Sequence, residues 1–255
     1  MSAPPAPSQL EELLRRADCV LFDFDGPLCH LFAGRPAPGV AARLAEALPG
    51  FDCDPQVTAV AEGDPLALLR AVHERHGDSE TTRSAERFLA KEEVKAIRTA
   101  AVTPHALELI RALEKGGWKQ AVTTNNSADA VTCFLELHGM AVPTAEHIHG
   151  RGALSALKPD PHCLVRALES TGSRASTALM IGDSRADFEA AAAIGVPFIG
   201  YVPKSKRGVF DDAKVYGANV CCTVDSLLGL VRAADPGWEP SAQQASELLS
   251  AGVRG

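Results

Sequence analysis

Four short apolar runs punctuate the chain: CVLFDFD (19–25), KQAVTT (119–124), ALMIGD (178–183) and VPFIGY (196–201), with ANVCCTV (218–224) as a fifth. Apolar character sustained over so few residues is the pattern of a parallel strand covered on both faces. Helical stretches with legible ends lie between them. Thr103 and Pro104 predict an N-cap and a first helical residue, and Lys115-Gly116-Gly117 predicts a stop. Ser127 predicts the next start, and Ser184 the cap of an alanine-rich helix that closes at Gly195. The alternation predicts an α/β chain, a doubly wound parallel sheet.

One interval breaks the rhythm. Over 31–100 the segments GVAARLAEAL, DPLALLRAVHERHG and AERFLAKEEVKAIRTA are helical and no strand pattern intervenes, which is too long for a simple crossover. The expectation is a helical insertion directly after the first strand: a core of 1–29 and 101–255, and an inserted helical domain of 30–100. The tail from 235 reads as a loop and an amphipathic helix. MSAPPAPSQL (1–10) reads as a short disordered lead; it lacks the basic and apolar regions of a secretory signal, so a cytoplasmic protein is expected.

Composition narrows the partners. A 46% hydrophobic content in 255 residues is ample for a buried core, and no apolar stretch approaches the ~20 residues of a membrane span. Net charge is −7, the basic run KSKR (204–207) stands alone, and aromatics are 5%. That argues against nucleic acid and for a small-molecule partner. Seven scattered cysteines without a C-x-x-C pair read as buried free thiols.

In an open parallel sheet, ligands sit beyond the carboxyl ends of the strands. The first run ends in Asp23 and Asp25, the second in Thr124 and Asn125, the third in Asp183, and LKPDPH places Lys158 and Pro159 at a helix start between the last two. Singly, each has a plain structural account. An Asp before Gly forms turns, TTNNS is a polar loop capped by Ser127, Lys158 is a surface cation, and Ser184 with Asp187 approaches a capping box. Gathered at one sheet edge, they read as chemistry.

This set, in this order, resembles the haloacid dehalogenase (HAD) superfamily. The resemblance is carried by DFDG, VTTNN, KPDP and GDSRADFEAAAAIG and spans residues 19–201. It implies a Rossmann-like core with a mobile helical cap, as in the phosphoglycolate phosphatase and β-phosphoglucomutase-like branch. It also implies that the backbone carbonyl of Asp25 joins Asp23 and Asp183 as a metal ligand. Pro27 stands where the superfamily usually has Thr or Val, which leaves both acids intact and stiffens the turn into the insertion.

Physical chemistry assigns the roles in the same way. A carboxylate that attacks a phosphoryl group forms an aspartyl-phosphate, and Asp23 is the expected nucleophile. Two anions meet only with a hard cation between them, hence Mg²⁺ on Asp23 and Asp183. Positions i and i+2 of an extended segment point the same way, placing Asp25 beside Asp23 as a proton shuttle. Lys158 supplies a cation, Thr124 a hydroxyl and Asn125 backbone or side-chain amide donors to the phosphoryl oxygens. Asp187 is expected to hydrogen-bond a metal-held water.

His30 and Arg35 lie where the chain leaves the core and are expected to reach the leaving group, with Arg70, His73 and Arg87 as further contacts from the insertion. His147 and His149 alternate as on a strand and have no third ligand at suitable spacing, so a half-exposed strand edge is expected there. The expected function is a Mg²⁺-dependent phosphatase of a small phosphorylated metabolite. A sugar-phosphate mutase would share every core residue. A non-catalytic phospho-acceptor module is the alternative of another class, and Asp25 and the insertion count against it.

Overall fold

The structure is a computed structural model that describes residues 8–59, 63–140, 143–203, 209–210 and 220–241. KSKR, the lead up to residue 7 and the helix expected in the tail beyond 241 lie outside the described residues. The lead ends sooner than expected. Ser8 caps a helix, α1 (Gln9–Arg16), and Glu11 completes a reciprocal capping box.

Strand β1 (Cys19–Phe22) is followed by a small antiparallel ribbon, β2 (Cys29–His30) with β3 (Ala101–Val102), between whose strands the whole helical insertion is threaded. The other strands are β4 (Lys119–Thr123), β5 (Ile148–His149), β6 (Ala178–Gly182), β7 (Phe198–Tyr201) and β8 (Val220–Val224). They join β1 in a six-stranded sheet of order β5-β4-β1-β6-β7-β8, every pair parallel. All five apolar runs are therefore strands, and β5 is a sixth, at the edge. The chain winds outward from β1 through β4 to β5, then returns to β6 on the other flank. The strand order thus reverses at β1, and the crevice outside its carboxyl end is the fold's natural binding place.

The apolar runs are explained by what covers them. Val20 and Phe22 of β1 pack into one cluster with α5 (Ala106–Lys115), α6 (Ala128–Leu137) and α9 (Leu228–Ala234). Cys19 and Leu21 pack into the opposite one, with α7 (His162–Thr171) and α8 (Arg185–Ala193). Successive strand residues face opposite layers, so a strand covered twice has no polar position left. The insertion, α2 (Ala37–Ala47), α3 (Pro65–His76) and α4 (Glu80–Ile97), has an apolar cluster of its own around Val40, Leu44, Leu69, Val72 and Leu89. Helix α4 reaches beyond it, because Ala96 and Ile97 at its end are buried in the core cluster instead.

Most helix ends follow the sequence signals. Ser127 and Ser184 cap α6 and α8, and α5 stops at Lys115 before Gly117, whose φ is +83°. Two do not. Thr103 caps nothing: it is buried, its hydroxyl donates to the carbonyl of Gly26 at 2.5 Å, and α5 begins three residues on, after His105. Helix α7 likewise starts at His162 rather than at Pro159, and the Lys158–Pro159 peptide is cis. Among the described residues no helix is long and apolar enough to cross a membrane, and Cys19, Cys29, Cys53, Cys133, Cys163 and Cys222 are free thiols.

Candidate active site

Strand β1 stops at Phe22, and the next backbone N–H, that of Asp23, donates to Ile181 on β6 at 2.9 Å. The acid therefore projects just past the end of the sheet, at the point where strand order reverses. A tight turn follows, in which Gly26 donates to Cys29 and both Leu28 and Cys29 donate to Phe24. Those bonds use the N–H groups of residues 26, 28 and 29, so Pro27, which has none, removes nothing from the turn. Gly26 has φ +128°, and a Cβ there would overlap the Asp183 carboxylate. Only glycine lets the turn lie against that acid.

Lys158 is the centre of the charge arrangement. Its side chain is 2% exposed, and Nζ donates to Asp23 Oδ1 at 2.8 Å, Thr123 O at 2.8 Å and Asp187 Oδ1 at 2.5 Å, which accounts for all three of its protons. Burial opposes the charge of Lys158, but Asp187 and Asp23 outweigh it and raise its pKa. For Asp23, burial and then the charges of Asp187 and Asp183 push the carboxyl up to about 8, against the pull of Lys158. Two buried acids, Asp23 and Asp187, share one ammonium.

The oxygens of Asp23, Asp183 and Asp187 lie within 4.8 Å of one another. An all-oxygen, net-negative and buried donor set of this kind suits a hard divalent cation. Asp187 is the least available of the three. Its Oδ2 accepts from Asp183 N, Ser184 N and Ser184 Oγ, and its Oδ1 from Lys158. It completes the capping box of α8 and orients the lysine at the same time, and the Asp183 carboxylate lies against Gly26.

The other sequence-predicted residues distribute as follows. Asp25, two places after Asp23, is half-buried, and its Oδ1 accepts from Leu31 N at 2.9 Å, which fixes the carboxyl at the entrance to the insertion. Thr124 is 2% exposed; its hydroxyl donates to Asn126 Oδ1 and accepts from Asn126 N. The amide of Asn125 is committed to Lys158, donating to its carbonyl at 3.1 Å and accepting from its N–H at 2.8 Å. This locks the two loops together and leaves Asn125 its backbone N–H and the second amide N–H as donors.

Of the cations expected from the insertion, Arg70 touches the site loops, donating to Lys158 O at 3.0 Å. Arg35 is drawn instead onto Glu92, Arg87 onto Glu80 and His73 onto Asp78, while His30 is exposed on its ribbon. His149 lies on edge strand β5 and His147 ends the turn before it. Both rings meet the Ser170 hydroxyl, at 2.8 and 3.2 Å.

Sequence reasoning missed the partners behind the second motif. Arg151 and Glu93, a loop residue and a helical one, are buried against each other and against residues 125–127. The signal that bears on them is Gly150, where a Cβ would collide with the backbone of Asn126 and Ala128.

The family model "Haloacid dehalogenase-like hydrolase" matches residues 57–201, a span that takes in Thr124, Asn125, Lys158, Asp183 and Asp187 and begins beyond Asp23. A phosphoglycolate phosphatase of Rhodospirillum rubrum is 35% identical over 214 residues, 76% of this chain and 86% of that protein. In fold, the chain is similar to CbbY of Rhodobacter sphaeroides in complex with phosphate. That pair has a TM-score of 0.58 and 19% identity, covering 87% of this chain and 96% of the other. It is also similar to a β-phosphoglucomutase of Clostridium difficile, with a TM-score of 0.59 and 18% identity over 84% and 93% of the two chains. The chain belongs to the haloacid dehalogenase-like hydrolase family, as an enzyme of its phosphohydrolase branch.

Proposed function

We propose that the protein is a Mg²⁺-dependent phosphatase of small phosphorylated metabolites, acting from the cytoplasm through an aspartyl-phosphate on Asp23. The observation that carries this reading is the meeting of Asp23, Asp183, Asp187 and Lys158 in one buried cluster at the strand-order reversal. Asp23 and Asp183, with the Asp25 carbonyl, would hold the ion, which when bound neutralises charge between nucleophile and phosphate. Lys158 draws the Asp23 pKa down against burial and the neighbouring acids, and the bound ion would supply the remaining positive charge that favours the carboxylate. The Lys158 hydrogen bond fixes the orientation of Asp23 for in-line attack. Asp25 protonates the leaving oxygen, then takes a proton from the water that releases the phosphate, a function typically worth ~10²- to 10⁴-fold.

The Thr124 hydroxyl, turning from Asn126 Oδ1, and the backbone N–H of Asn125 donate to phosphoryl oxygens. The insertion, residues 30–100, acts as the cap that excludes water while transfer occurs, and Arg70 is its cation nearest the site loops. Because a relative of 35% identity is a phosphoglycolate phosphatase, phosphoglycolate heads the substrates to assay, ahead of sugar phosphates.

The test is turnover of p-nitrophenyl phosphate and then of that panel, with Mg²⁺ or with chelator, for wild type beside Asp23→Asn. Activity that disappears with either the ion or the carboxylate is expected. Turnover that survives Asp23→Asn would refute the covalent mechanism.

A further inference from the structure

The loop that follows β4 is gripped from behind. Arg151, whose side chain is wholly buried, spreads its guanidinium over both oxygens of Glu93, at 2.8 and 3.0 Å. It also donates to Asn125 O at 3.0 Å and to Glu86 at 3.3 Å, and its backbone N–H donates to Asn126 O at 2.6 Å. Glu93, 2% exposed, accepts in addition from Ser127 N at 2.9 Å and Asn126 Nδ2 at 3.2 Å. Residues 125, 126 and 127 are thus each bonded to this pair. Asn125 and Thr124 are the residues on whose donors the phosphatase reading depends, and Thr124 is itself folded onto Asn126.

Glu93 belongs to α4, which is rooted in the apolar cluster of the insertion at Leu89 and in the core cluster at Ala96 and Ile97. The pair therefore joins the insertion to the loop directly.

We propose that Arg151 and Glu93 are positioning residues that set the geometry of the phosphate-receiving loop, and that helix α4 of the insertion sets this geometry through them. The inference rests on the phosphatase reading. Stability is a poor explanation for the arrangement, because replacing a buried ion pair by apolar side chains is often neutral or favourable. Its chemistry suits orientation instead: a planar fork meets two carboxylate oxygens and a carbonyl in fixed directions, which an ammonium does not. Helix α4 is thereby tied to the loop on one side and, through Leu89 and Glu92, to the rest of the insertion on the other.

The test compares wild type with Arg151→Met/Glu93→Met, which removes both charges together and so leaves neither buried alone, and with Arg151→Lys. Melting temperature, kcat and KM for p-nitrophenyl phosphate, and the affinity for inorganic phosphate in Mg²⁺, by inhibition and by calorimetry, are measured on each. The double variant is expected to fold yet to bind phosphate about tenfold or more weakly, with kcat/KM falling in step, since small misplacement of binding groups costs this much. Arg151→Lys should fall between the two, and it carries the test if the double variant does not fold. Folded variants that keep phosphate affinity and kcat/KM within about twofold of wild type would overturn the inference while leaving the phosphatase reading intact. Wild-type protein that neither turns over esters nor binds phosphate would overturn both.

Discussion

Lys158→Met removes one charge and leaves the chain volume nearly unchanged, so it isolates what the ammonium does. Nζ makes two charge-assisted hydrogen bonds, to Asp23 and Asp187, and one to Thr123 O, all at 2.8 Å or less and all buried. Charged bonds of this kind contribute about 1.5–3 kcal/mol each, and removing one partner of a buried pair costs about 3–5 kcal/mol, because the remaining charge is left uncompensated. The lower end, about 3 kcal/mol, is the expected loss in the absence of metal. For a chain of this length that is a fall of roughly 6–12 °C in melting temperature. Millimolar Mg²⁺ should return part of it, since a dication on Asp23 and Asp183 replaces the missing positive charge. Activity should not return: losing one preorganised donor at the reacting centre typically costs ~10²- to 10³-fold in kcat. Thermal unfolding with and without Mg²⁺, beside p-nitrophenyl phosphate kinetics, measures both. A variant melting within about 2 °C of wild type in chelator, or keeping more than about a tenth of wild-type turnover, would show that the cluster is not organised around this lysine.

Two further outcomes follow from the geometry. Gly26→Ala places a Cβ on the Asp183 carboxylate at a backbone φ of +128°; strain of about 1–3 kcal/mol and a displaced acid should raise the Mg²⁺ concentration for half-maximal activity about tenfold, and an unchanged Mg²⁺ titration would contradict it. Glu92, 3% exposed, accepts from Lys95, Arg35 and Arg43, and although burial alone would raise its pKa, those cations hold it down from 4.5 to about 2. Its folded pKa lies below the unfolded one, so its stabilisation is present above pH 4.5 and is lost as pH falls toward 2. The shift caps this at about 3 kcal/mol, and the partial exposure of all three cations reduces it to about 1–2 kcal/mol. Glu92→Gln should therefore be less stable than wild type by that amount at pH 7, with the gap closing toward pH 2. Urea unfolding across that range checks it, and a gap independent of pH would count against the ion cluster.

The sheet was legible because its cause is local. A strand buried on both faces must be apolar throughout, so the runs at 19–25, 119–124 and 178–183 announce themselves. The same holds for Ser127 and Ser184, whose capping partners are three residues away. Elements of two residues, β2, β3 and β5, have no periodicity to read. The start of α1 did carry a signal, Ser8 followed by Glu11, which the proline-rich lead obscured. Thr103 was misread because a Thr before Pro serves equally to cap a helix or to hold a distant carbonyl, and the Gly26 carbonyl lies 77 residues away. Long-range pairing likewise hid Arg151 and Glu93, 58 residues apart, each an unremarkable charge in its own segment.

Asp187 shows why local and chemical readings of a polar residue need not compete. One of its oxygens accepts from the backbone N–H groups of Asp183 and of the N-cap Ser184 and from the Ser184 hydroxyl, and the other accepts from Lys158. Helix α8 starts where the same carboxylate that fixes the lysine can accept its orphan donors. The backbone of Asp183, held by that carboxylate, in turn carries the acid that lies against Gly26 and within reach of Asp23. Forming the helix start, placing the cation and positioning Asp183 are thus one structural event. Asp23 is tolerated at the end of a core strand because Lys158, oriented by the carboxylate of this cap, supplies its counter-charge from 135 residues later in the chain.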